Sequence, residues 1–130
     1  RGIEEEDIVG KMTEINETIK ENVGVMTVLS NPRGINNIDV YIPATGTGIF
    51  NTLSLKSGQK VSFSLASDKS SDSFSINIAN SAGKGKRYTA SDGVVAGTYS
   101  VPSSDDYKIY IDGYNYGGDD IHVTGMIRIE

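Results

Sequence analysis

The chain has 130 residues, 37% of them hydrophobic, and this length fits one domain that can bury a core. Residues 1–22 hold seven acids and three bases, a net charge of −4, so the remaining 108 residues are nearly neutral and offer no basic field for nucleic acid. Cysteine is absent, which excludes disulfides and thiolate chemistry, and no stretch is apolar enough to span a bilayer.

The first predicted element is an amphipathic α-helix over residues 1–22. Ile8, Met12, Ile15 and Ile19 follow the spacing of one helical face, and the acids at the start complement the helix dipole. The apolar face is narrow and needs a surface to lie on. We therefore interpret the segment as a short helix packed on the domain, with a partner-binding helix as the alternative.

From residue 23 onward the hydrophobic period changes to two. Short runs of alternating apolar and polar residues are separated by Gly, Pro, Asn and Ser turn signals. The alternating runs cover residues 23–30, 38–42, 53–55, 61–65, 74–78, 99–101, 107–111 and 121–129, with a further short run around Tyr88. About seven to nine strands of this kind predict an all-β domain over residues 23–130, an antiparallel β-sandwich of jelly-roll type.

Four segments together are similar to a known family. They read "LSLKSGQKVSFSLAS", "SFSINIANSAG", "AGTYSVPSSDDYKIYIDG" and "IHVTGMIRI". Their layout resembles small secreted bacterial β-sandwiches of the pre-peptidase C-terminal type, which includes collagen-binding modules of extracellular proteases. The matching positions are Gly58, Val61, Asn80, Gly83, Gly97, Tyr99, Val101, Tyr107, Ile109 and Ile111. The resemblance implies an extracellular β-sandwich without catalytic machinery of its own.

The family's calcium-binding segment does not carry over to this chain. Collagen-binding members have an acidic strand start, whereas the equivalent region here reads "ATGTGIFNTLSL" and has no acidic cluster. Neither the family's metal ligands nor a collagen-binding assignment therefore follows from the resemblance.

Catalytic residues are sparse, and we predict that the protein is not an enzyme. The one histidine, His122, shares a strand face with Arg128 and Glu130 and is expected to point to solvent. There is no G-x-S-x-G motif for a serine nucleophile. With one histidine and no cysteine, a zinc site is also not expected.

The segment "YIDGYNYGGDD", residues 110–120, is the best candidate for a ligand site. Tyr110, Tyr114 and Tyr116 supply aromatic faces for sugar rings, and Asn115 can hydrogen-bond their hydroxyls. By strand parity Tyr110 should be exposed on the face opposite to Ile109. Tyr114 and Tyr116 belong to the connection and can either reach solvent or fold back on the sheet.

Calcium is the one metal that this segment suggests. Asp112, Asp119 and Asp120 surround glycines whose carbonyl groups can complete an oxygen shell. The spacing is not that of an EF-hand loop, and Asp is also an ordinary turn former. Calcium binding and plain turn chemistry therefore both remain open, and no other cofactor is predicted.

Three classes of function follow from these observations. The leading hypothesis is a non-catalytic, secreted binding or structural module for polysaccharide or protein at the cell surface, and the composition suits a Gram-positive bacterium. The second is an assembly subunit that forms oligomers through the N-terminal helix or an edge strand. The third is an enzyme or inhibitor of an unrecognised kind. The start at Arg1 instead of Met suggests a mature or trimmed product.

Overall fold

The computed structural model describes residues 4–8, 23–24, 29 and 32–130. These residues form β-strands, turns and irregular segments but no helix, and hence no helix that could cross a membrane. The strands are β1 (Glu4–Ile8), β2 (Val23–Gly24), β3 (Gly34–Ile42), β4 (Thr47–Ile49), β5 (Leu53–Leu55), β6 (Lys60–Ser67), β7 (Phe74–Ala79), β8 (Gly85–Thr89), β9 (Val94–Ser100), β10 (Asp105–Gly113) and β11 (Ile121–Ile129). The prediction of an all-β architecture is confirmed for this part of the chain.

The described strands form two sheets. The larger sheet has the order β1-β8-β7-β10-β4-β2, and β5 also pairs with β10. The smaller sheet has the order β3-β11-β6-β9. The pairs are antiparallel, apart from the short parallel pair of β2 with β4. Two antiparallel sheets agree with the predicted sandwich, whereas its jelly-roll topology stays a prediction.

One hydrophobic core takes side chains from both sheets. Ile109 and Ile111 of β10 and Val123 and Ile127 of β11 belong to it, and all four are fully buried. In β3 every second residue from Asn36 to Ile42 is buried, as the alternating pattern predicts. Complete burial of an aliphatic side chain is worth about 1.5–3 kcal/mol, so this shared core holds the two sheets together.

The predicted N-terminal helix is wrong over Glu4–Ile8, because these residues form β1 and pair with β8. Glu5 and Asp7 lie within salt-bridge distance of Lys86 on β8. Tertiary pairing of this kind overrides a helical pattern in the sequence.

The remainder of the predicted helix, residues 9–22, lies outside the described residues. Within the first predicted strand, residues 23–24 form β2, Leu29 is buried in the core, and residues 25–28 and 30 also lie outside the described part. The division of the chain at residues 22 and 23 into a helix and a β-domain stays a prediction.

We expect Ile109→Ala to lower the free energy of unfolding by about 2–5 kcal/mol, because the substitution leaves a cavity between the sheets. Urea unfolding followed by circular dichroism measures the change. Ile35→Ala is the matched control, since Ile35 is 50% exposed, and it should change stability by no more than about 0.5 kcal/mol. Equal losses for both variants would contradict this placement of the core.

Candidate functional site

Two loops meet at one end of the two sheets and border an open cleft of about 460 Å³. One loop runs from residue 68 to residue 73 after β6, and the other, residues 114–120, joins β10 to β11. The cleft is lined by Lys69, Ser71, Asp72, Ser73, Tyr114, Asn115, Tyr116, Gly118 and Asp119. We call this region, together with residues 43–46, the loop end. It includes three of the four residues that the sequence analysis proposed for ligand binding.

Asn115 fixes the loop end through its side chain and its backbone. Its Oδ1 accepts a hydrogen bond from the Ser73 backbone N–H at 2.8 Å, and its Nδ2 donates to Asp72 Oδ1 at 2.8 Å. Its backbone N–H donates to the Ala44 carbonyl at 2.8 Å. Asn115 was predicted to bind a ligand, but these bonds tie three loops together and engage its side-chain amide.

The two loop tyrosines differ in what their rings can reach. Tyr114 folds back on the larger sheet, where its hydroxyl lies 2.7 Å from Ser75 Oγ, and burial raises its pKa. Tyr116, in contrast, is 82% exposed. The sequence left open whether these tyrosines reach solvent or fold back on the sheet. Tyr114 folds back on the sheet, and Tyr116 reaches solvent. Tyr116 is therefore the aromatic group that this loop presents to solvent.

The predicted exposure of Tyr110 is wrong, because the side chain is fully buried. It packs with Ala79 and the partly buried Ile49 on the outer face of the larger sheet, the face turned away from the core. The alternation of side chains along the strand assigned Tyr110 to solvent, because one face of each sheet was assumed to contact water. The centre of this outer face is buried instead. Burial raises the pKa of Tyr110, and its hydroxyl has no hydrogen-bond partner among the described residues.

Asp112 belongs to the same buried outer face and not to the loop. Thr47 Oγ1 donates a hydrogen bond of 2.5 Å to Asp112 Oδ1, and Arg87 Nη2 lies 3.7 Å from Asp112 Oδ2. Arg87 in turn donates from Nε to Asn77 Oδ1 at 2.7 Å. Burial raises the pKa of Asp112, and the bond from Thr47 together with the charge of Arg87 opposes that rise. These contacts fix the strand that leads into the loop end.

The three carboxylates predicted to bind calcium turn to three different partners. Asp112 bonds to Thr47, Asp119 Oδ2 lies 3.6 Å from Lys69 Nζ, and Asp120 Oδ1 accepts from the Ala44 N–H at 3.3 Å. Over the described ranges, no three His, Asp or Glu side chains form a group that could hold a metal ion. Calcium binding at these residues stays a prediction.

A cluster around His122, on the outer face of the smaller sheet, was not predicted from the sequence. His122 Nε2 lies 2.6 Å from Asp39 Oδ1, and Nδ1 lies 2.9 Å from Asp68 Oδ2. The Tyr41 ring stacks on the imidazole with a centroid separation of 4.4 Å and an interplanar angle of 7°. Asp39 and Tyr41 alternate along β3, but only the register of β3 on β11 shows that they flank the histidine. With both ring nitrogens engaged by carboxylates, His122 on β11 bridges β3 and the loop that follows β6.

No protein-family model matches the chain, and no curated protein matches its sequence, so the similarity to the pre-peptidase C-terminal type stays a resemblance. Solved structures do share its fold. Aeromonas hydrophila PliG, a periplasmic lysozyme inhibitor of g-type lysozyme, is 15% identical, with a TM-score of 0.56 over 84% of this chain and 98% of its own.

Two further solved structures also share the fold of this chain. Salmonella Typhimurium PliG, also a periplasmic inhibitor of g-type lysozyme, is 11% identical, with a TM-score of 0.55 over 84% of this chain and 98% of its own. CorA, a surface-associated copper-binding protein of Methylomicrobium album BG8, is 10% identical, with a TM-score of 0.51 over 84% and 99%. At these identities the likeness shows the fold alone, and it is a fold found in small periplasmic or surface-associated proteins.

We expect Asn115→Ala to lower the free energy of unfolding by about 1–3 kcal/mol, because it leaves the Ser73 N–H and the Asp72 carboxylate without their partner. Amide hydrogen exchange should also become faster in residues 69–73 and 114–120. Tyr116→Ala in the same loop is the control and should change stability by no more than about 0.5 kcal/mol. Unchanged exchange in Asn115→Ala would show that the amide does not fix the loops.

We expect the pKa of His122 to lie above its ordinary value of 6.5, because its hydrogen bonds to Asp39 and Asp68 favour the imidazolium. The stabilisation that these bonds provide is fully present below the unfolded-state pKa and is lost as pH rises through the raised folded-state value. NMR titration of the ring measures this pKa. Asp39→Asn should lower it and the distant Asp106→Asn should not. A value at or below 6.5 in the unmodified chain would contradict the bridging role.

Proposed function

We propose that this protein is a non-catalytic protein-binding module of the cell envelope or the extracellular space, and that it binds its partner with the loop end. The observation that carries the proposal is the placement of Tyr116, a large aromatic side chain that is 82% exposed beside a rigidly held asparagine. Exposed aromatic side chains are typical anchors of protein interfaces, and a loop whose base is already fixed has less backbone entropy to lose on binding.

A protein partner fits the loop end better than a polysaccharide does. A sugar site needs free hydrogen-bonding groups next to an aromatic face, but the Asn115 amide and the Asp72 carboxylate already bond to each other. Tyr114 is engaged with Ser75 on the sheet. What remains accessible is Tyr116 with the exposed ion pair of Lys69 and Asp119, which fits an interface in which an aromatic centre is bordered by a polar rim.

The state of the histidine supports the proposal of a non-catalytic role. His122 is the only histidine of the chain, and both of its nitrogens bond to carboxylates. A general base needs a free ring nitrogen within reach of the proton that it removes.

The shared fold suggests the first partner to test. Two of the structures with this fold are inhibitors of g-type lysozyme, and the match covers nearly their whole length. An extracellular module of this size that inhibits or captures a cell-wall hydrolase is therefore the most specific form of the proposal. Periplasmic and surface-associated relatives in fold also support a location outside the cytoplasm.

Biolayer interferometry with an immobilised g-type lysozyme tests the proposal. We expect binding that Tyr116→Ala weakens by tenfold or more, which corresponds to at least about 1.4 kcal/mol. Ile35→Ala is the matched control, because this exposed apolar residue lies at the opposite end of β3, and it should leave the affinity unchanged.

Two results would contradict the proposal. Equal affinities of the unmodified chain and of Tyr116→Ala for the lysozyme would show that the loop end is not part of the interface. Binding to a glycan array that is lost in Tyr116→Ala, with no binding to the lysozyme, would assign the same site to polysaccharide.

A further inference from the structure

The edge of the larger sheet pairs two strands of opposite charge. β1 has the sequence EEEDI, and β8, which follows Lys84, has the sequence GKRYT. The two strands are antiparallel, and the register runs from Glu4 opposite Thr89 to Ile8 opposite Gly85. In the sheet order β1 is the outermost strand and pairs only with β8 among the described strands.

The charges match on both faces of this strand pair. Lys86 Nζ lies 3.1 Å from Glu5 Oε2 and 2.7 Å from Asp7 Oδ1 on one face. On the other face, Arg87 Nη1 lies 3.3 Å from Glu6 Oε2. Hydrogen bonds to Asp7 and Glu5 raise the pKa of Lys86. Side chains alternate between faces along a strand, so Glu5 and Asp7 meet Lys86 on one face and Glu6 meets Arg87 on the other.

The end of the strand adds an apolar anchor. Ile8 is 4% exposed and lines a cavity of about 420 Å³ together with Tyr99 and Pro102. The receiving side is part of the rigid body, because Arg87 also bonds to Asn77 on β7. The edge of β8 thus matches a short acidic strand that ends in an aliphatic residue.

We propose that this edge of β8 also accepts the strand Glu4–Ile8 of a second copy of the chain, so that two copies exchange strands. Every contact described above can form equally between copies, because it joins β1 only to the body of the domain. Residues 9–22 separate β1 from β2 in the sequence, and at roughly 3.3–3.6 Å per extended residue these fourteen residues can span up to about 50 Å. Charge complementarity selects this strand over neutral edge strands such as β9.

A charge exchange between two variants tests the proposal in the full-length chain. The first variant carries Lys86→Glu, and the second carries Glu5→Lys with Asp7→Lys. Within each variant the strand and its acceptor repel, whereas between the two variants both pairings are complementary. Light scattering should give the mass of one chain for each variant alone and twice that mass for the equimolar mixture.

Cysteine pairing tests the same contact with the ion pairs of Lys86 and Arg87 intact, in case a charge variant fails to fold. The chain has no cysteine of its own, and Glu4 and Thr89 are paired in the ladder. A mixture of Glu4→Cys chains with Thr89→Cys chains should form a disulfide-linked heterodimer under mild oxidation. Glu4→Cys mixed with Ser57→Cys is the control, because Ser57 is exposed in the turn between β5 and β6 and is not among the residues that pair with β1, so it should not crosslink.

Two results would overturn the proposal. A variant mixture that keeps the mass of one chain, with no more Glu4–Thr89 heterodimer than in the Ser57 control, would show that β1 pairs only within its own copy. A chain that stays monomeric but binds a labelled EEEDI peptide would assign the edge to an acidic strand of another protein.

Discussion

Burial of β10 on both faces is the constraint on which the rest of this structure depends. Ile109 and Ile111 face the shared core, while on the outside of the larger sheet Tyr110 is fully buried and Asp112 is partly buried. The strand is also paired along both edges, with β7 on one side and β4 and β5 on the other. A strand held in this way has little freedom to shift, and its last residue leads directly into the loop that carries Tyr116.

The alternation of apolar and polar residues predicts the buried face of a strand well where the other face is exposed to solvent. It misleads where both faces are buried. For β3 and β11 the period of two gave both the strand and its buried face. For β10 the alternation correctly predicted the strand and the residues that face the core. It assigned Tyr110 to solvent, because nothing in a single sequence shows what covers the outer face of a sheet. The helical spacing from Ile8 to Ile19 misled over Glu4–Ile8 for a related reason. The partner of β1 is a basic strand about eighty residues away, and local patterns carry no information about such pairs.

The candidate site was predictable in place but not in the roles of its residues. The length and composition of the connection after β10 marked it as the segment to inspect, and Tyr116 is indeed exposed there. Residue type alone made Asn115 a ligand-binding group, because an amide can bond equally well to a sugar hydroxyl or to a neighbouring loop. Its partners Ala44, Asp72 and Ser73 are distant in sequence, so only the fold shows that its hydrogen-bonding capacity is already used.

The division of labour within this loop has a practical consequence for protein engineering. Asn115 holds the base of the loop, whereas at Gly117 a side-chain carbon would meet no other atom within 4 Å. A foreign peptide inserted beside Gly117 would therefore emerge from a fixed base into open solvent without disturbing the core. The domain contains no cysteine, so a single thiol placed in such an insert would also be a unique position for a dye or a surface linkage. The fold thus offers a small scaffold for displaying peptides, whatever its natural partner is.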